Sequence, residues 1–286
     1  MLADDDRLWI LVQNEDSASH ELRDLRSDAQ AMASAEDLLR LHLDADDNRE
    51  GQAVAMAAWP DQDRPAVLSR RSVMEPADGG WKRWQLAAAL DPFGQVALAD
   101  QETFFVGYNR GEWGGGLRRI DVADGAISLV REQSDELCGG AINPACSPVV
   151  GLFGDPDRPG CVMVGTGLSH MGLSHGHIYR VCGSTIAPVF STPVPAEGAR
   201  WMLMPQPWPL HGFVEAPGGW IGLSRDRYFR SEGGDVVEHP MPEFRDWSGI
   251  RISEEQNSVL FVVAACCWGS ADHPTLYRAL AIPIRP

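Results

Sequence analysis

Four stretches of this chain share one shape, and their recurrence restricts the fold more than any other feature of the sequence. They are FFVGYNRGEWGGGLRRID (104–121), VMVGTGLSHMGLSHGHIYRV (162–181), WIGLSRDRYFRS (220–231) and LFVVAACCWGSADHPTLYRAL (260–280). Each reads as a strand, a Gly- or Ser-containing loop of variable length, and a second strand ending in a hydrophobic-x-Arg step. The closing arginines, Arg119, Arg180, Arg230 and Arg278, are 61, 50 and 48 residues apart. A lone two-stranded hairpin is marginal in water, so a recurring one predicts an array of antiparallel units packed on their neighbours. The segment from Ala66 to Val73 begins another unit of the same kind.

An interval of this size suits the blades of a β-propeller, which run to about 40–50 residues. A chain of 286 residues holds five or six of them. The expected fold is therefore mainly β: a propeller-like ring of about five or six antiparallel β units, forming a single mostly-β domain over residues 1–286. The alternative is a β-sandwich or barrel, in which units look alike because all hairpins do. The sequence carries neither a WD dipeptide signature nor a regular kelch double glycine. Its 29 glycines and 20 prolines agree with frequent turns and few long helices.

Before the repeats lies an acidic strand-helix segment at about residues 1–45. Leu8 to Val12 reads as a strand that pairs with the last unit and removes a free edge. From Ser17 to about Leu38, the spacing of Leu22, Leu25, Ala29 and Met32 predicts an amphipathic helix. Leu39, Leu41 and Leu43 then alternate with polar residues, the period of a half-buried strand. Trp81 to Leu90 fits a short helix or a strand.

The net charge is −16, and residues 1–50 alone hold 14 acids against five arginines. No basic cluster exceeds the pairs Arg70-Arg71 and Arg118-Arg119, so nucleic acid is excluded as a partner, because neutralising phosphates needs a basic stripe. An acidic surface instead suits a basic protein partner. Lys82 is the only lysine beside 23 arginines, a skew that reflects codon usage more than function. The acidic start lacks the pattern of a signal peptide, and the longest apolar run, Val259 to Trp268, is ten residues, half a membrane span. The chain is expected to be cytoplasmic, without a membrane partner. None of the six cysteines forms a C-x-x-C pair, and the adjacent Cys266 and Cys267 are expected to be reduced, buried thiols.

Several motifs fail on inspection. Gly172-Leu173-Ser174-His175-Gly176 matches G-x-S-x-G, but the residues after it favour a strand where a nucleophile elbow requires a helix. Asp44, Asp46 and Asn48 imitate a calcium loop that then lacks its glycine and its closing glutamate. His170, His175 and His177 offer a divalent metal three imidazoles on one loop, and no other cofactor is indicated.

The most unusual string is Tyr108 to Gly116, with four glycines in its last six residues and Asn109, Arg110, Glu112 and Trp113 at its tip. In a ring of like hairpins this loop shares a rim with the histidine loop and with the loop carrying Trp268, Asp272 and His273. Loops on a rigid β scaffold are where binding resides, and Trp and Arg are the residues that anchor interfaces. Ten tryptophans, among them Trp201, Trp208, Trp220 and Trp247, leave some for a surface. The function these residues indicate is a non-enzymatic, acidic protein-interaction module, such as an inhibitor or immunity-type protein bound to a basic partner. The alternatives are a metal-assisted hydrolase or lactonase using the histidine loop, and a small-ligand or sugar-binding propeller using Trp113 and Trp268.

Overall fold

The computed structural model describes residues 102–170, 173–194, 206–224, 227–232 and 234–241 in full and most of residues 53–100; elsewhere it describes only the strands. Among the described residues there is no α-helix, and the strands form six sheets whose members follow one another in sequence. The first holds β1 (Leu2–Asp4), β2 (Arg7–Gln13), β3 (His20–Arg26) and β4 (Leu39–Leu41). The second holds β5 (Ala53–Ala57), β6 (Ala66–Ser69), β7 (Ser72–Ala77) and β8 (Gly80–Gln85). The third holds β9 (Gln95–Asp100), β10 (Thr103–Asn109), β11 (Gly115–Asp121) and β12 (Ile127–Val130). The fourth holds β13 (Val149–Gly154), β14 (Cys161–His170), β15 (Leu173–Cys182) and β16 (Thr185–Ser191). The fifth holds β17 (Gly212–Ala216), β18 (Gly219–Leu223), β19 (Arg227–Glu232) and β20 (Asp235–Pro240). The last holds β21 (Gly249–Glu255), β22 (Ser258–Ala264) and β23 (Tyr277–Pro283). No described helix is long and apolar enough to cross a membrane.

The recurring hairpins are the second and third strands of these sheets: β6–β7, β10–β11, β14–β15, β18–β19 and β22–β23. Their closing arginines take equivalent places, Arg119 opposite Ser128, Arg180 opposite Ala187 and Arg230 opposite Val237, each facing the fourth strand of its sheet.

Two expectations for the amino-terminal segment are corrected. His20–Arg26 is a strand, not part of a helix, with Leu22 opposite Leu11 and Leu25 opposite Leu8. The three-residue leucine spacing there is a weak local preference, and pairing with the strongly apolar β2 on one side and β4 on the other overrides it. Residues 27–38 lie outside the described residues. The Leu8–Val12 strand does not complete the last sheet; it lies inside β2, paired with both β1 and β3. Trp81 and Trp84 fall on a strand, β8.

By its contacts the chain divides into two compact units. One comprises Met1–Val106, Leu117–Val130 and Gly154–Val162; the other comprises Gly107–Gly116, Arg131–Phe153 and Met163–Pro286. In the first, Phe104 is fully buried with its ring 5.7 Å from that of Trp59 and 6.3 Å from that of Trp84. Lys82 and the Trp84 indole both bind Glu75, at 2.8 and 3.2 Å.

The second unit is organised by a proline-spaced segment. In Gln206–His211, Pro207 and Pro209 lack backbone N–H groups, so this stretch cannot supply a full strand ladder. Its carbonyls are satisfied by hydroxyls instead. Ser174 Oγ donates to Pro207 at 2.7 Å, Thr192 Oγ1 to Trp208 at 2.5 Å, and Ser224 Oγ to Pro209 at 2.7 Å. The segment lies so close to β14 that a Cβ built at Gly167 would stand 1.9 Å from the Leu210 carbonyl oxygen. Around it, Val150, Met163, Ile178, Trp208, Leu210, Phe213, Trp220 and Phe229 form one buried cluster. Trp208 and Trp220, expected to be available for a surface, are 6% and 5% exposed and belong to this core. Trp201 and Trp247 lie outside the described residues.

Candidate functional site

The glycine-rich loop between β10 and β11 is a braced turn. Asn109 Oδ1 accepts the Gly111 N–H at 2.9 Å, and the Arg110 carbonyl accepts that of Trp113 at 3.2 Å, closing one 3-10 turn over Gly111–Trp113. Gly114, at φ +75°, passes so close to a second loop that a Cβ there would lie 2.2 Å from the Pro144 carbonyl oxygen. Gly115 N–H donates to that oxygen at 2.8 Å, and Gly116 N–H to the Ser147 carbonyl at 3.0 Å. The glycines thus admit a neighbouring backbone. Held this way, Trp113 is 75% exposed.

The second loop follows Arg131 and is closed by a disulfide between Cys138 and Cys146. Glu132 accepts the Ala141 N–H at 3.0 Å, and the Asn143 side-chain amide donates to the Leu137 and Gly139 carbonyls at 3.1 and 2.9 Å. Between them Ile142 is fully buried at φ +54°, a left-handed conformation that costs a β-branched residue about 1–3 kcal/mol and persists only where its surroundings impose it. The run from Arg131 to Cys138 is exposed throughout, presenting Glu132, Asp135, Glu136 and, 85% exposed, Leu137.

The histidine hairpin is the third member. His170 Nδ1 lies 2.7 Å from Glu112 Oε2, which ties β14 to the Trp113 turn. His175 Nε2 lies 2.7 Å from the Cys146 carbonyl, which ties β15 to the disulfide loop. His177 Nδ1 lies 2.9 Å from Ser191 Oγ. With Cys146 as acceptor, His175 carries its proton on Nε2, which leaves a buried Nδ1 without a hydrogen-bond partner. The histidine and glycine-rich loops expected to share a rim therefore meet, whereas Trp268, Asp272 and His273 lie outside the described residues.

The three imidazoles do not form a metal site. Each engages a different partner, and among the described residues no group of three His, Cys, Asp or Glu side chains is placed to hold an ion. Ser174 is no nucleophile by geometry either. It sits within strand β15 without an elbow, and its hydroxyl is committed to the Pro207 carbonyl.

The rings of His175 and His177 stack with centroids 5.2 Å apart. Burial lowers the pKa of His175 against the opposing effect of its bond to Cys146. Burial, with a smaller contribution from the charge of His175, lowers that of His177 to about 4. Burial, with the charge of Glu132 added, raises the neighbouring Tyr179 phenol to about 12. Unfolded histidine titrates near 6.5, so between about pH 6.5 and 4 the unfolded chain binds protons that folded His177 does not. The pair therefore stabilises the fold fully above about pH 6.5, and that contribution falls away as the pH drops towards 4. Unfolding free energies from urea titrations at pH 7.5 and 5.0 are expected to differ by about 1–2 kcal/mol through His177, discounted for solvent screening, and His177→Gln should remove that part of the difference.

Sequence reasoning missed the disulfide loop. Its signal was present as Leu137-Cys138-Gly139-Gly140 and Asn143-Pro144-Ala145-Cys146, two cysteines eight residues apart around a turn-rich stretch. Cys161 and Cys182, at the base of the β14–β15 hairpin, are also disulfide-bonded.

No family model and no curated protein sequence matches the chain. Among solved structures it is similar to the extracellular domain of a putative hybrid two-component system from B. thetaiotaomicron, at 11% identity and a TM-score of 0.48. The likeness covers 91% of this chain and 30% of that one, so the chain spans less than a third of that structure. It is also similar to a GH74 xyloglucanase from Xanthomonas campestris, at 14% identity and a TM-score of 0.41 over 86% of this chain and 49% of the other. TolB from Acinetobacter baumannii is similar at 10% identity and a TM-score of 0.37 over 91% of this chain and 61% of its own.

Proposed function

We propose that this chain is a non-enzymatic protein-interaction module of acidic character, and that its contact surface is made by the Trp113 turn, the disulfide loop and the histidine hairpin. The observation that carries the reading is Trp113, an indole 75% exposed on a turn fixed by backbone bonds at both ends. Large aromatics held rigidly in solvent are the residues that seat in a partner's pocket at little entropic cost. Leu137 and Leu173, 85% and 51% exposed, extend the apolar contact. Glu112, Glu132, Asp135 and Glu136 are exposed on the same two loops and outnumber the exposed Arg110 and Arg131 there, a net negative charge that fits a basic partner carrying an apolar pocket. Occlusion of such a partner by an inhibitor or immunity-type protein is one form this binding takes.

The ring belongs to the same proposal. Six sheets of consecutive strands, with β5 beside β9 and β17 beside β21, suit blades whose first strands neighbour one another. On such a ring the hairpin loops collect at one face.

The test is affinity capture from native extract at low and high salt, followed by binding kinetics with the captured protein. A basic partner is expected, and Asp135→Lys with Glu136→Lys should slow its association about tenfold at low salt with a smaller change in dissociation. Association indifferent to both salt and charge reversal would remove the electrostatic half of the reading.

A further inference from the structure

We propose that the Cys138–Cys146 disulfide is a thiol-exchange site, attacked at Cys138, and that it latches the surface around Trp113. The two sulfurs differ in access: Cys138 is exposed, whereas Cys146 is 7% exposed. Exchange requires an incoming thiolate to reach one sulfur, and exposed bridges are the labile ones. The step balances with a dithiol as reductant. Its thiolate bonds to Cys138 Sγ, the S–S bond breaks, and the electron pair leaves on Cys146 Sγ, which takes a proton. The second thiol of the reductant then displaces Cys138, which also takes a proton. The protein gains two electrons and two protons, and the dithiol becomes a disulfide.

The bridge closes the segment whose far side supports the turn. Pro144 and Ser147 accept the amides of Gly115 and Gly116, and Cys146 itself accepts the bond from His175. Opening the bridge leaves Ile142 in its left-handed conformation with one constraint fewer. The loop then relaxes, and the acceptors that hold the turn move with it. Other cystines of the same chain are an internal standard, since Cys161 is 7% exposed and is disulfide-bonded. Loss of partner binding on reduction rests on the function proposed above; the exchange and the loosening of the turn do not.

The test is timed reduction of the folded, full-length protein with dithiothreitol after blocking of all free thiols, with mass spectrometry to place newly alkylated cysteines. Cys138 and Cys146 are expected to become alkylated about tenfold or more faster than Cys161 and Cys182. In the singly reduced protein, hydrogen exchange at the Gly115 and Gly116 amides should rise about tenfold, with the β18 amide of Gly222 unchanged. Equal or slower opening of the Cys138–Cys146 bridge overturns the exchange site. Fast opening with unchanged exchange at Gly115 and Gly116 overturns the latch. The Cys138→Ser/Cys146→Ser double variant must reproduce the loosened amides if it folds, and reduction of the wild-type protein gives the answer if it does not.

Discussion

Gly167→Val is expected to destabilise the protein by about 3 kcal/mol and to lower Tm by roughly 10 °C. The reason is space alone. Gly167 lies within β14 and has no left-handed φ, so a larger residue is conformationally permitted there. Yet its Cβ would stand 1.9 Å from the Leu210 carbonyl oxygen and 2.6 Å from the carbonyl carbon, both backbone atoms that cannot swing aside. The proline-spaced segment would have to lift from the sheet, exposing Trp208 and Leu210 and breaking the hydroxyl contacts that satisfy its carbonyls. Gly183→Ala is the contrast. That residue has φ +60° and no atom within 4 Å of a built Cβ, so it should cost only the left-handed penalty, about 1 kcal/mol. Thermal denaturation of both variants checks the comparison, and equal losses would refute the close approach.

Trp113→Ala is the second large effect, this time on binding without loss of stability. The indole is mostly in solvent, so its removal should leave Tm within about 1 °C of wild type. Affinity for the captured basic partner should fall about 30-fold or more, the 2 kcal/mol of a central aromatic anchor. Titration calorimetry reads both partners directly. A variant that binds like wild type would place the contact elsewhere on the chain.

How much of the fold is legible in the sequence follows from which strands carry their own pattern. The middle hairpins were legible because they are apolar, turn-punctuated and closed by an arginine facing the fourth strand, as Arg180 faces Ala187. The outer strands were not. The fourth strands β16 and β20 are largely exposed, so nothing in TIAPVFS or DVVEHP obliges a buried face. Leu22 and Leu25 misled because their spacing satisfies a helix, while the partner that makes them strand, β2, sits outside any local window. The role of Ser174 was hidden for the same reason, since its acceptor lies 33 residues away.

The surface was legible in part. The glycines from 111 to 116 announced an unusual loop, and hairpin equivalence brought it to the histidine loop, where Glu112 meets His170. Trp113 stands out into solvent because Gly114 and Gly116, packed against Pro144, fix the turn that carries it. The histidines read as a metal set because their spacing suits one, but each is engaged by a separate partner, Glu112, the Cys146 carbonyl and Ser191.

The central claim is that the Trp113 turn is where a basic protein docks. A photo-crosslinking phenylalanine derivative at position 113, which keeps an aromatic ring where Trp113 stands, tests it in the producing cells, with the same group at the exposed Thr185 of the β15–β16 hairpin as reference. One basic protein is expected to be joined to position 113 and not to 185, in reduced yield when Asp135 and Glu136 are both lysine. The same products from both positions, or none from 113 while partner binding persists, would contradict it.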